Sequence, residues 1–298
     1  MALKLNKRGL LSGLFSYFGR SPYAVRRRWA FVLGWLAPYL MRSRAHIVRT
    51  NLKLCFPQHS EQQREAWLRT HFQLLAQSVV DRGLLWFGTR ERIEATISIE
   101  GLQHLQALLD AKRPIILLAP HFIGLDAAAT RLTLFLETSA TLYTPQSDPY
   151  VDQLVREGRG RFNTVHLISR RDGVRGLIRQ LRKGVPVYYL PDMDWGTEGA
   201  AFVPFFGVPA ATLLTTAQIA RTWEAAVVPI VSRLDIGTGQ YHVDVLPPIA
   251  GFPGDQSLED ATARLNQLLE TWVERDPTQY YWVHRRFKTR PPGEERPY

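Results

Sequence analysis

Apolar residues recur every three to four positions between about residues 24 and 110, a spacing that predicts a succession of helices. The spacing is regular over residues 61–75 and again over 73–87, and Pro57, Ser60 and Gln63 mark the start of the first of these helices. Two short segments follow, a predicted edge strand at 94–100 and a predicted helix at 101–111.

The pattern changes after residue 111, where short apolar runs alternate with helical stretches. The predicted strands are 115–119, 140–143, 164–167, 185–190, 226–231 and 241–246. The predicted helices between them are 125–136, 150–161, 173–182, 211–221 and 258–275. This alternation predicts an α/β fold with a mixed, largely parallel central sheet flanked by helices, preceded by a helical N-terminal extension. Ligands are expected at the carboxyl ends of the strands.

The first 45 residues contain two apolar segments, 9–19 and 29–41, each shorter than the roughly 18 residues that a spanning helix needs. Arg20 and the arginines at 26–28 separate the two segments, so we predict no spanning helix. Aromatic residues flanked by cations are typical of helices that lie in a membrane interface. Two ordinary core helices are the alternative that the sequence leaves open.

Composition narrows the class of protein. The chain has 298 residues, of which 45% are hydrophobic, enough for a packed core. Its single cysteine, Cys55, excludes an internal disulfide framework and a multi-cysteine zinc site, and we expect it to be buried. Thirty-seven Lys and Arg against 27 Asp and Glu give a charge of +10, which predicts an anionic partner. An acidic membrane surface and a phosphorylated or acidic carrier substrate fit better than nucleic acid, because no nucleic-acid-binding motif accompanies the charge.

His121 and Asp126 stand five positions apart where the predicted strand 115–119 ends. A carboxylate bonded to one imidazole nitrogen fixes the tautomer and raises the basicity of the other nitrogen. The pair is therefore a candidate general base for a substrate hydroxyl. A hydrogen-bonded structural histidine is the alternative interpretation.

Other polar groups follow later predicted strands. Arg159 and Arg161 flank Gly160, and planar guanidinium groups bind phosphate through two hydrogen bonds. Arg170 precedes a predicted helix start, where free backbone amides also favour phosphate. Solvated helix-face arginines are the alternative.

Asp192 and Asp194 follow the strand predicted at 185–190 and can bind Mg²⁺ or orient arginines and sugar hydroxyls. The absence of a third ligand nearby makes a metal site the weaker interpretation. Residues 202–212, with two prolines and a glycine, predict a loop that either walls an acyl-chain channel or packs in the core.

Taken in order, these motifs resemble the late acyltransferases of lipid A biosynthesis, within the lysophospholipid acyltransferase superfamily. The segments that carry the resemblance are 51–57, His121-x4-Asp126, 158–163, 169–172, 191–194, 202–212 and the tail motif 279–293. The resemblance runs from about residue 22 to the C-terminus, and the tail motif is its most specific part. It implies a glycerol-phosphate-acyltransferase-like fold, with residues 1–45 as a membrane-interface helical segment and 46–298 as the acyltransferase domain.

The resemblance implies transfer of a fatty acyl chain from acyl carrier protein to a hydroxyl of a lipid A precursor of the Kdo2-lipid IV(A) type. His121 would be the general base and Asp126 its orienting carboxylate, with no acyl-enzyme, metal or cofactor. The residues implied to bind substrate are Arg159, Arg161, Arg170, Asp192 and Asp194. The expected location is the cytoplasmic face of the bacterial inner membrane, peripheral or monotopic, on an anionic lipid surface.

Two alternatives stay open at this point. The same fold can act on a glycerophospholipid or another glycolipid, or the chain can be a non-catalytic basic module that binds membrane.

Overall fold

The N-terminal part of the protein is helical, as predicted. A computed structural model describes residues 7–169 and 172–298. Its first helices are α1 (Lys7–Arg20), α2 (Tyr23–Leu40), α3 (Arg42–Cys55), α4 (Glu61–Phe87) and α5 (Arg90–Thr96). The Ser60 side chain accepts a hydrogen bond from the Gln63 amide, which confirms the predicted helix start. The edge strand predicted at 94–100 is half wrong, because the Thr89 side chain caps α5 and helix continues to Thr96.

The central sheet of seven strands confirms the predicted fold class. The remaining strands and helices are β1 (Ile97–Glu100), α6 (Leu102–Asp110), β2 (Ile115–Leu118), α7 (Leu125–Leu132), β3 (Thr138–Tyr143), α8 (Pro149–Arg159), β4 (Thr164–Ser169), α9 (Gly173–Leu181), β5 (Val187–Tyr189), β6 (Ala200–Phe205), β7 (Val208–Leu213), α10 (Thr215–Trp223), β8 (Ala226–Asp235), β9 (Gln240–Val245) and α11 (Leu258–Arg275). The strand order is β1-β9-β8-β2-β5-β3-β4, and among the described residues only the β8–β9 pair of this sheet is antiparallel.

A hairpin of β6 and β7 replaces the loop predicted at 202–212. Its two-residue turn, Phe206-Gly207, has positive φ at both positions, which is the geometry of a tight hairpin turn. The first position of such a turn is usually asparagine or aspartate, which this sequence lacks there. Phe205 is fully buried and does not wall an open channel. The helix predicted to begin at residue 211 begins at Thr215, because β7 extends to Leu213.

Helix α4 is the support for α1 and α2, which pack along it at close range. A Cβ on Gly83 of α4 would lie 2.5 Å from the Phe15 carbonyl oxygen of α1, and one on Gly34 of α2 would lie 2.7 Å from the Gln73 Cα of α4. These glycines let the helix backbones approach. A buried ion pair, Arg26 Nε to Asp81 Oδ1 at 2.7 Å, also joins α2 to α4.

The outward surface of α1 and α2 is unusually apolar. No described helix is long and hydrophobic enough to cross a bilayer. Most of the large apolar side chains exposed in the described chain nevertheless lie on these two helices. The α1–α2 patch consists of Leu10, Leu14, Tyr17, Trp29, Phe31, Val32, Leu33, Trp35, Tyr39 and Leu40. Ordinary core helices would not leave such a surface exposed. The domain boundary at residue 45 stays a prediction.

The C-terminal tail packs into the core beside α3. Trp282 and Phe287 are almost fully buried, and the Asn51 side chain donates to the carbonyl oxygens of Trp282 and His284 at 2.8 and 2.7 Å. Cys55 lies in the same core, and burial raises the pKa of its thiol. The predicted burial of this cysteine is confirmed.

Candidate active site

His121 and Asp192 meet at the carboxyl ends of two neighbouring parallel strands. Strands β2 and β5 pair in a register that places Leu118 beside Tyr189. His121 stands three residues after Leu118, and Asp192 stands three residues after Tyr189. His121 Nδ1 lies 2.8 Å from Asp192 Oδ1, and the His121 backbone amide donates to Asp192 Oδ2 at 2.9 Å. The carboxylate therefore holds both the ring and the backbone of His121.

This contact fixes the chemical state of the imidazole. Burial opposes ionisation of Asp192, but the charge of His121 and the two hydrogen bonds outweigh it and lower the pKa of Asp192 to about 2. The ionised carboxylate of Asp192 accepts a hydrogen bond from Nδ1–H, which leaves Nε2 as the unprotonated nitrogen of the neutral His121 ring. The arrangement suits a general base.

Asp126 does not occupy the orienting position predicted for it in this structure. It accepts hydrogen bonds from Arg82 Nη2 and Arg159 Nη2, each at 3.3 Å, and no hydrogen bond joins it to His121 among the described residues. The reason is positional. Asp126 lies in the first turn of α7, and α7 packs against α4. Asp192 follows β5, the strand that pairs with β2, and so lies next to His121.

Arg82, Asp126 and Arg159 form a partly exposed cluster with two positive charges and one negative charge. Their side chains are 41%, 32% and 35% exposed, so the cluster is open to a ligand. Burial opposes ionisation of Asp126, but the two guanidinium groups outweigh it and lower its pKa. Sequence reasoning missed Arg82, because nothing in the helical pattern of α4 indicates that α7 and α8 pack against it.

The other arginines predicted to bind substrate are placed differently. Arg161 donates to the backbone carbonyl oxygens of Leu85, at 3.0 Å, and of Gly88, where α4 ends. Its guanidinium also lies over the Phe162 ring. These contacts direct Arg161 toward the protein rather than toward the cluster around Asp126. Arg170 lies outside the described residues.

Asp194 anchors the C-terminal tail. Its carboxylate accepts from the amide and hydroxyl of Thr289, at 2.7 and 2.8 Å, and from the Gly196 amide at 3.0 Å. Its backbone amide donates to Nε2 of His284 at 2.9 Å. Within the described part of the chain, no three His, Cys, Asp or Glu side chains converge as a metal site would require.

The tail motif also passes directly beside the histidine. The Tyr281 amide donates to the His121 carbonyl oxygen at 2.9 Å, and the His284 amide donates to the Tyr281 carbonyl oxygen at 3.4 Å. Burial, together with the charges of Arg286 and His121, lowers the pKa of His284 to about 4. Sequence reasoning gave His284 no individual role, although it stands in the tail motif.

An apolar cleft adjoins Asp192 between the sheet, the β6–β7 hairpin and α11. Its lining residues include Leu118, Pro120, Leu213, Leu265 and Trp272. The cleft is small, and it places apolar side chains next to the carboxylate of Asp192.

Comparison with known proteins decides the family. The sequence model described as "Bacterial lipid A biosynthesis acyltransferase" matches residues 10–289. The chain belongs to this family. It is accordingly an acyltransferase of lipid A biosynthesis, and the resemblance drawn from the motifs is confirmed.

Several members of the lipid A acyltransferase family from Escherichia coli K12 are similar to the chain. It is 37% identical to the lauroyltransferase over 91% of this chain and 88% of that protein. It is 33% identical to the palmitoleoyltransferase over 92% and 88%, and 33% identical to the myristoyltransferase over 89% and 82%. A solved 1-acyl-sn-glycerophosphate acyltransferase from Thermotoga maritima matches at 15% identity and a TM-score of 0.39, over 84% of this chain and 95% of that one.

Proposed function

We propose that the chain transfers a fatty acyl group from acyl carrier protein to a hydroxyl of a lipid A precursor of the Kdo2-lipid IV(A) type, with no acyl-enzyme and no cofactor. The observation that carries the proposal is the His121–Asp192 pair followed, five residues along the chain from His121, by Asp126 held between Arg82 and Arg159. A base for a hydroxyl and a site for an anion therefore lie at one edge of the sheet.

The reaction needs one proton to move and one bond to be exchanged. Nε2 of His121 removes the proton of the acceptor hydroxyl, and the oxygen attacks the thioester carbonyl. Ionised Asp192 stabilises the imidazolium that forms, as the carboxylate does in hydrolase triads. The tetrahedral intermediate then expels the thiolate of the carrier, and the imidazolium of His121 gives that thiolate the proton it had removed from the acceptor hydroxyl.

The arginine cluster supplies binding for the acceptor's phosphate. Arg82 and Arg159 are held close together by Asp126, and both side chains are partly exposed. Charge-assisted hydrogen bonds from guanidinium to phosphate are short and directional. Phosphate bound there would position the acceptor sugar relative to His121.

The α1–α2 patch is proposed to attach the enzyme to the cytoplasmic face of the inner membrane. Arg20 and Arg28 are exposed on the same helices, so cations adjoin the apolar surface. Hydrophobic burial and attraction to anionic lipid then act together. The charge of +10 also suits the acidic carrier protein.

Mass spectrometry of products tests the proposal. Purified protein is incubated with acyl-carrier-protein thioester and either Kdo2-lipid IV(A) or a lysophospholipid. We expect the glycolipid alone to gain the mass of one acyl unit, and His121→Ala to abolish the gain. Acylation of the lysophospholipid instead, or no acylation of either acceptor by the wild type, would overturn the proposal.

A further inference from the structure

Two imidazoles are held by one short segment after strand β5. The carboxylate of Asp192 binds His121 Nδ1, and two residues later the backbone amide of Asp194 binds His284 Nε2. The tail connects them a second time, through Tyr281, which bonds to His121 and to His284. The charge on His121 also contributes to the lowered pKa of His284.

The contact with Asp194 fixes the tautomer of His284. A backbone amide can only donate, so Nε2 must be the acceptor and must be unprotonated. The ring is then neutral, with its single proton on Nδ1. The low pKa of His284 agrees with a neutral ring at pH 7.

The remaining donor of His284 is unused but not sealed off. No described residue accepts a hydrogen bond from Nδ1. The buried side-chain atoms without a partner in the described chain do not include it, so Nδ1 keeps some exposed surface. A neutral, oriented N–H near a general base is what a developing oxyanion needs.

We propose that His284 is a catalytic residue whose Nδ1–H donates a hydrogen bond to the thioester carbonyl oxygen as that oxygen becomes negatively charged. The inference rests on the proposed function and adds a group that the tail motif supplies. Asp194 acts as its positioning residue, through the backbone amide that holds Nε2.

The role assigned to His284 completes the electron movement of the transfer. When the acceptor oxygen bonds to the carbonyl carbon, the π electrons of the C=O bond move to the oxygen, and Nδ1–H of His284 stabilises that charge. The electrons return when the C–S bond breaks, and the proton on His121 leaves with the thiolate. The His284 proton is neither lost nor gained.

A matched pair of variants separates donation from anchoring. The amide nitrogen of asparagine is attached to Cγ, as Nδ1 of histidine is, so His284→Asn keeps a donor there and loses the acceptor for Asp194. The amide oxygen of glutamine reaches the position of Nε2, so His284→Gln keeps that acceptor and loses the donor. If His284 only anchored the segment, glutamine would be the better replacement.

The measurement is kcat and KM for both substrates across pH, beside a thermal unfolding curve for each variant. We expect His284→Gln to lose about 10²- to 10³-fold in kcat, the usual cost of one oxyanion donor, with KM and the shape of the pH profile little changed. His284→Asn should retain clearly more kcat than His284→Gln. Equal or greater activity of His284→Gln would overturn the inference.

A measurement on the wild type keeps the inference testable if either variant folds poorly. In ¹⁵N-histidine-labelled protein, the nitrogen shifts distinguish the two neutral tautomers from the cation. We expect the resonances that disappear in His284→Gln to show a proton on Nδ1 alone at pH 7. A proton on Nε2 would overturn the inference even while wild-type transfer upheld the proposed function. An inactive wild type would overturn both.

Discussion

His121, at the carboxyl end of β2, is oriented by a carboxylate that follows the neighbouring strand β5 and not by the carboxylate closest to it in sequence. Asp192 contacts His121 directly, whereas Asp126 is held between Arg82 and Arg159. The two carboxylates therefore have separable tasks. One orients the imidazole, and the other holds two guanidinium groups together.

Neutralising each carboxylate in turn tests this division. Asp192→Asn should lower kcat by about 10²- to 10⁴-fold, because the imidazolium and its tautomer lose their charged partner. Asp126→Asn should act mainly on KM for the acceptor. Steady-state kinetics with both substrates varied measures both effects. A larger kcat loss in Asp126→Asn than in Asp192→Asn would show that Asp126 steers His121 during turnover.

Removal of either exposed guanidinium should weaken binding of the acceptor. We expect Arg82→Ala and Arg159→Ala each to raise its KM by about ten- to a hundredfold, the value of a charged hydrogen bond. The effect should vanish with an acceptor that lacks phosphate. Arg179→Ala, an exposed arginine on α9, is the control and should leave KM unchanged. Equal losses with and without phosphate would contradict the assignment.

The sequence named both His121 and Asp192 as candidate site residues but did not pair them. Spacing suggested Asp126, because a residue five positions away is an obvious neighbour in a strand-to-helix turn. The true contact depends on which strands are adjacent, and the order β2-β5-β3 is a property of the whole sheet. Arg82 was missed for the same reason, since it reaches the site from a helix about 40 residues earlier in the chain.

Individual elements differ in how much their own residues determine them. Helix α11 has the bounds predicted for it, Leu258–Arg275, because a serine cap precedes a long amphipathic repeat. The β6–β7 hairpin was missed because its turn uses Phe206-Gly207 and because Pro204 and Pro209, which face each other across it, normally weaken a strand prediction.

A buried histidine in α4 should make stability depend on pH. His71 is fully buried, its Nδ1 donates to the Thr278 carbonyl oxygen at 3.0 Å, and burial lowers its pKa from 6.5 to about 4. In the unfolded chain His71 therefore becomes protonated below about pH 6.5, whereas in the folded chain it stays neutral until about pH 4. The free energy of unfolding should fall as pH drops through this range.

Urea unfolding at a series of pH values measures the contribution of His71. His71→Phe should flatten the fall between pH 6.5 and about 4, although His284 keeps part of the slope because its pKa is lowered to a similar value. His46→Gln, at an exposed position of α3, should leave the slope unchanged. An unaltered slope in His71→Phe would contradict the prediction.

At the scale of the whole molecule, a buried charge network ties the N-terminal helices to the sheet. Asp81 of α4 accepts from Arg26 of α2, from Gln77 at 3.0 Å and from the Tyr241 hydroxyl of β9 at 2.9 Å. Arg26 and Asp81 are both almost fully buried. These bonds fix helix α2, and the α1–α2 patch that it carries, relative to the central sheet.

Breaking this network should destabilise the protein strongly. Arg26→Met leaves the Asp81 carboxylate buried without its cation, a change that typically costs about 3–5 kcal/mol. Arg28→Met, two positions along and exposed, should change the free energy of unfolding by less than about 0.5 kcal/mol. Chemical unfolding compares the two. A small effect of Arg26→Met would show that water or another cation replaces the arginine.

The α1–α2 patch should govern attachment to lipid. A triple change of Trp29, Trp35 and Leu40 to serine removes three large apolar side chains. Burial of each in lipid would stabilise attachment by about 1.5–3 kcal/mol. Sedimentation with phosphatidylglycerol-containing vesicles should show binding lowered at least about tenfold, with folding intact. Tyr150→Ser, at an exposed aromatic residue on α8, is the control. An equal loss from that control would move the contact surface away from α1 and α2.

The burial of Cys55 has a practical use for spectroscopy. The natural chain presents no reactive thiol on its described surface, since its single sulfhydryl is enclosed and resists ionisation. A cysteine placed anywhere along α1 or α2 would thus take up a spin label or fluorophore selectively, without first rebuilding the core. Accessibility of such probes to oxygen and to water-soluble quenchers would then test whether each turn of these helices enters a lipid bilayer, and to what depth.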